Sequence, residues 1–149
     1  MSPSLDLSKE VGVIYPLPVL LSSQGAGWMG LHLVLAHQPA FSTPEYNPNF
    51  HTICVNFGNS VKVRSKLDGR SEIIDSVPGD IGIYPANHWQ EFEWYQEATY
   101  LDLFLEKPIF TQVGAELCEK EEIELIPRLR RDFDPLIYQI AVALKTALE

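Results

Sequence analysis

The chain has only two cysteines, Cys54 and Cys118, far apart and with no Cys-x-x-Cys pair. That excludes a disulfide-framed scaffold and a dithiol redox motif. Positive charge is also scarce: 11 Lys and Arg stand against 20 Asp and Glu, a formal net charge of −9. Grip on nucleic acid comes from cations that neutralise phosphates, so these residues are not expected to hold DNA by themselves. No apolar run of about 20 residues could span a bilayer, and no charged start leads into a signal-type apolar stretch. A cytoplasmic, reduced protein with no membrane partner is the expectation. A Gly-x-Ser-x-Gly elbow and a glycine loop ending in lysine are both missing, so neither a serine hydrolase nor a phosphate-cradling site is indicated.

What is there is mostly strand. The segment Pro78-Gly79-Asp80-Ile81-Gly82-Ile83-Tyr84-Pro85-Ala86-Asn87-His88 joins a turn, a short alternating strand and a second turn in which Asn87 tolerates the left-handed conformation. Before it, Gly25 to Gln38 reads as a long strand with both faces apolar, and Phe50 to Phe57 as another. Val61 to Leu67 sets Lys62, Arg64 and Lys66 against Val61, Val63 and Leu67, so one face meets water. Asp68-Gly69 then joins it to Arg70–Ile74 as a type I′ hairpin. Trp89 to Tyr95 and Tyr100 to Glu106 complete a series of short strands whose even spacing predicts a barrel or sandwich in one domain of 149 residues.

The two ends read differently. Residues 1–20 form an N-terminal arm, polar to Glu10 and then, with Pro16 and Pro18 among apolar residues, an extended or edge segment that could cover a barrel mouth. Residues 21–106 form the barrel, and 107–149 a helical segment in which Pro108 opens a helix to Cys118. An acidic cluster, Glu119, Glu121, Glu122 and Glu124, reads as a solvated turn, and Arg128, Arg130 and Arg131 as a weak basic patch between helices or turns. In the last helix Asp134 caps the start and Pro135 suits the first turn. Leu136, Ile137, Ile140, Ala141, Leu144 and Leu148 form one apolar face, which needs either the barrel flank or the same helix of a second subunit.

Taken in order, Ala26-Gly27-Trp28, His51-Thr52-Ile53-Cys54-Val55-Asn56-Phe57-Gly58, Leu67-Asp68-Gly69, the Pro78-to-Ala86 segment and Asp134-Pro135-Leu136-Ile137 resemble the N-terminal sensor half of AraC-type bacterial transcriptional regulators. The likeness covers the chain from about Leu20 onward. It implies a cupin-like jelly-roll barrel that binds a small effector, a homodimer formed through the helices after the barrel (here Leu136, Ile137, Ile140, Leu144 and Leu148), and a DNA-binding half that is absent from this sequence.

Cupin enzymes hold a metal with imidazoles and a carboxylate, and spacing tests for these. Aligned on Gly79 and Pro85, the second cupin motif G-x5-P-x-G-x2-H-x3-N places Asn87 at the second glycine, Gln90 at the ligand histidine and Trp94 at the asparagine. Aligned on Gly58, the first motif puts His51 at the glutamate ligand and leaves its histidine pair among Pro44, Glu45, Tyr46 and Asn47. The barrel therefore reads as free of metal and cofactor, and as no enzyme. Because ligand positions point inward, the same alignment turns His51, Ile53, Val55 and Phe57 inward, with Gln90, Phe92 and Trp94. Tyr46, His51, Gln90, Phe92 and Trp94 are the candidate ligand-binding residues, for a sugar-like or aromatic effector. Cys54 falls on the opposite face as packing, and His32, His37 and His88 receive no role. Two other readings stay open: a stand-alone metal-dependent cupin enzyme built on His51 and Glu45, and a barrel that only dimerises, its interior filled by its own aromatics.

Overall fold

A computed structural model describes residues 7–109, 111, 112 and 128–149. Helix α1 (Leu7–Ile14) precedes strands β1 (Leu21–Ser22), β2 (Leu31–Gln38), β3 (Phe41–Ser42), β4 (Phe50–Asn56) and β5 (Val61–Leu67). Strands β6 (Arg70–Ser76), β7 (Asp80–Tyr84), β8 (Gln90–Trp94), β9 (Ala98–Glu106) and β10 (Arg128–Phe133) follow, and helix α2 (Pro135–Leu148) ends the chain. Among the described residues, no helix is long and apolar enough to cross a membrane.

The strands make two sheets, ordered β1-β2-β9-β4-β7-β10 and β3-β8-β5-β6. From β2 to β5 the chain alternates between the sheets, turns through the β5–β6 hairpin, and returns through β7, β8 and β9. The outward and return strands therefore pair as neighbours, β2 with β9, β3 with β8, β4 with β7, all antiparallel. A long hairpin wound in this way is a jelly roll. The turns follow their residue types: Asp68 and Gly69 sit at φ 48° and 83° in the β5–β6 hairpin, and Asn87 at φ 64° before β8.

The first sheet is buried on both faces. Its outer face, carrying Leu33, Val55, Ile81, Leu101 and Leu103, lies under α2, whose Ala141 is fully buried while Ile137, Tyr138, Leu144 and Leu148 pack around it. Asp134 caps α2 by accepting from the backbone N–H groups of Leu136 and Ile137. Of the five residues expected to form a dimer seam, Ile137, Leu144 and Leu148 thus lie on the barrel's own flank. Leu136 and Ile140 remain 70% and 46% exposed. One helix cannot offer its whole apolar stripe to a partner once part of it covers a sheet.

Three expectations are corrected. The arm is not extended from Val11: residues 7–14 are helical, with Val11, Ile14 and Tyr15 packed against Val34, Phe50 and Phe104. The prolines act only from residue 16, since a residue before proline is biased out of the helical region and Tyr15 is where the helix has ended. The strand expected from Gly25 starts at Leu31, because Gly25, Gly27 and Gly30 adopt φ of 80°, 82° and 77° and turn the chain. The Arg128-to-Arg131 stretch, expected between helices or turns, is strand, and β10 covers the edge that β7 would otherwise expose. Residues 107–109, 111 and 112 are helical as expected; the other positions at which the helix to Cys118 is expected, and the acidic cluster, lie outside the described residues.

The cap of α2 gives a direct test. Asp134→Ala is expected to lower stability by about 1 kcal/mol in urea unfolding; an unchanged midpoint would mean that α2 is held by its packing alone.

Candidate functional site: a closed aromatic cavity

The inner faces of the two sheets enclose a cavity lined by Thr52, Cys54, Tyr84, Gln90, Phe92, Trp94, Tyr100, Asp102 and Phe104, with Tyr46 from the β3–β4 connection and Ile14 and Tyr15 from the arm. Strand alternation selects these residues. On β9 Tyr100, Asp102 and Phe104 point in, while Leu101 and Leu103 point out beneath α2. On β7 the glycine at 82 makes room for a ring, since a Cβ there would meet Tyr84 Cε2 at 2.9 Å.

The walls form an aromatic chain. Trp94 stacks on Phe41 with centroids 4.7 Å apart, Phe92 meets Trp94 at 5.6 Å, and Tyr84 stands edge-on to Phe92 at 4.8 Å. Most polar groups around the cavity are spent on the fold. Gln90 Nε2 donates to the Pro85 carbonyl at 3.0 Å, and the Tyr100 hydroxyl donates to Ser76 Oγ at 2.7 Å. Burial raises the Tyr46 phenol above its ordinary range, helped by Cys54, Tyr84 and Glu10.

Two groups differ. Trp94 is 8% exposed, and its Nε1–H is buried without an acceptor among the described residues. Asp102, 4% exposed, lies between β2 and β4 opposite Val34 and Cys54. Its carboxylate accepts from the Tyr15 hydroxyl, which the arm carries into the barrel. Burial pushes the Asp102 carboxyl up to about 7, because taking a carboxylate out of water disfavours its charged form. The arm is held further along by Gln38, whose side chain accepts from Leu17 N at 2.9 Å and donates to Leu17 O at 2.8 Å. With the arm in place the cavity has about 20 Å³ open to water centres, room for a water or two.

Of the sequence-derived site residues, Tyr46, Gln90, Phe92 and Trp94 line this cavity and His51 does not. The expected register of β4 is inverted: Thr52 and Cys54 face in, while Ile53, Val55 and Phe57 join the cluster beneath α2. Both faces of β4 are buried, so hydrophobicity carries no sign of direction there. His51 Nδ1 accepts from Ala86 N at 3.0 Å, and burial, then Lys107, lowers the imidazole below its ordinary range. Glu45 faces Lys66 at 3.7 Å. The side chains present do not fit a cupin metal: Gln90 occupies the expected ligand position, and among the described residues no three His, Cys, Asp or Glu side chains converge on a metal-sized site.

Asp102, Tyr15, Tyr84 and Tyr100 had no place in the sequence-derived site. The signal for Asp102 is a lone carboxylate within the run Tyr100-Leu101-Asp102-Leu103-Phe104.

The raised carboxyl has a signed consequence. Its proton affinity is higher in the folded chain (about 7) than at its ordinary value of 3.8, so the native state binds the extra proton and loses stability as pH rises between those values. The Tyr15, Tyr46, Tyr84 and Tyr100 phenols and the Cys54 thiol share the cavity, and none of their ordinary values lies in that window. Asp102→Asn is expected to stabilise the protein by on the order of 2 kcal/mol more at about pH 8 than at about pH 5 in urea unfolding. An equal effect at both pH values would show that the carboxyl titrates normally.

No family model and no curated protein matches this chain. Solved structures similar to it include a variant of Bacillus subtilis oxalate decarboxylase, at 20% identity and TM-score 0.44 over 52% of this chain and 21% of that one. Another is a putative ethanolamine utilization protein from Salmonella typhimurium, at 11% identity and TM-score 0.44 over 58% of this chain and 65% of that one. By its own strand order, the chain is a cupin-like jelly-roll barrel with a helix packed on its flank.

Proposed function

We propose that the chain is the ligand-sensing and dimerisation domain of an AraC-type transcriptional regulator, binding a small effector in the barrel without a metal. The observation that carries this reading is the Tyr15–Asp102 hydrogen bond inside an aromatic cavity. One side chain belongs to the N-terminal arm and the other to the barrel wall. An effector large enough to fill the cavity displaces Tyr15, so occupancy and arm placement become one equilibrium. The resemblance in motif order supplies the rest: the arm's placement would bias a DNA-binding half carried outside these residues. The second copy would meet the outer face of α2, where Leu136 and Ile140 stand exposed.

Two measurements test this reading. In a panel of sugars and small aromatic compounds, at least one is expected to raise the melting temperature and to change the rate of tryptic cleavage after Lys9 in α1; Trp94→Ala is expected to lose that response. If stability and arm cleavage respond to no compound, the sensor reading fails. Leu136→Glu with Ile140→Glu is expected to shift a dimer to monomer in sedimentation with the fold retained, and a wild-type monomer at all concentrations would remove the dimerisation role.

A further inference from the structure

Resting on the reading of the barrel as a sensor, we propose that its cavity takes a small protonated amine carrying an acceptor oxygen, with Asp102 as counter-ion and the aromatic walls as the cage for the cation. Asp102 is buried in a cavity whose walls, among the described residues, carry no Lys, Arg or His. The rings of Tyr46, Tyr84, Phe92, Trp94 and Tyr100 line the same cavity, and aromatic rings attract cations to their faces. An anionic effector would meet a like charge there. The second polar requirement comes from Trp94, which lines the same cavity and whose buried Nε1–H has no acceptor among the described residues. An oxygen on the ligand satisfies it.

The arm shows the size of the occupant. In the structure Tyr15 lines the cavity and its hydroxyl donates to Asp102. An arylalkylamine carries a ring like that of Tyr15 and replaces its neutral donor with an ammonium, which adds an ion pair to the hydrogen bond on the carboxylate. Tyramine is therefore an apt probe: a ring like that of Tyr15, an ammonium for Asp102 and a phenol oxygen for Trp94. Such a ligand binds the carboxylate form, so its affinity falls as pH drops and Asp102 takes up a proton. Among the described residues, the titratable groups that share the cavity with Asp102 are the Tyr15, Tyr46, Tyr84 and Tyr100 phenols and the Cys54 thiol, with Glu10 of α1 acting on Tyr46.

Titration calorimetry on the whole chain, comparing tyramine with 4-ethylphenol, which has the same ring and hydroxyl but no amine, decides the matter. Tyramine is expected to bind about tenfold or more tightly at about pH 8, with the gap closing at about pH 5.5. Asp102→Asn, which should fold at least as stably, is expected to bring the two within about twofold. Tyr15→Phe is expected to tighten tyramine binding by removing the competing hydroxyl. The inference is overturned if 4-ethylphenol binds as tightly as tyramine, if Asp102→Asn keeps the preference, or if tyramine does not bind. Should a neutral sugar or 4-ethylphenol bind and shift arm cleavage in any of those cases, the sensor reading stands and only the amine chemistry falls; if nothing binds, both fall.

Discussion

The arrangement of this protein follows from one constraint, a sheet that is apolar on both faces. Strands β2, β9, β4 and β7 carry aliphatic side chains on one side and mainly aromatic or aliphatic ones on the other, so neither side can be left to water. The jelly-roll winding covers the inner side with the second sheet. Helix α2 covers the outer side around Ala141. The edges are closed as well, by β1 beside β2 and by β10 beside β7. The ends of the chain are thus the covers of a single sheet.

Within that largely apolar interior a carboxyl group is costly, and Asp102 sits on β9 between two other strands. Its placement joins the functional parts of the molecule. On the inner face of β9 it meets Tyr15 of the arm. On the outer face of the same strand, Leu101 and Leu103 are packed against α2. β9 thus packs against the arm on one face and against the helix on the other. The Trp94 Nε1–H, without an acceptor among the described residues, leaves this well-packed interior incompletely satisfied.

How much was legible differs from strand to strand. On β8, Glu91 and Glu93 alternate with Gln90, Phe92 and Trp94, and the charges mark the outer face, where Arg64 pairs with both at 3.1 and 3.3 Å. The inward direction was therefore readable. On β4 no charge marks either face, and a motif alignment that placed His51 at a ligand position turned the strand over. The arm was misread because its prolines outweighed the spacing of Val11, Ile14 and Tyr15. Asp102 could be noticed as an odd residue in an apolar strand, but its partner lies 87 positions away.

The sequence by itself determined most of the strands of the barrel, the Asp68-Gly69 and Asn87 turns, the Asp134 cap and, through its motif order, the barrel class. These rest on backbone preferences and alternation within a few neighbouring residues. Only the tertiary structure decided which face of β4 lines the cavity, that α2 spends most of its apolar stripe on the barrel's own flank, and that Tyr15 closes on Asp102. Each of these depends on what covers a face, and the cover comes from parts of the chain too distant for local patterning to record.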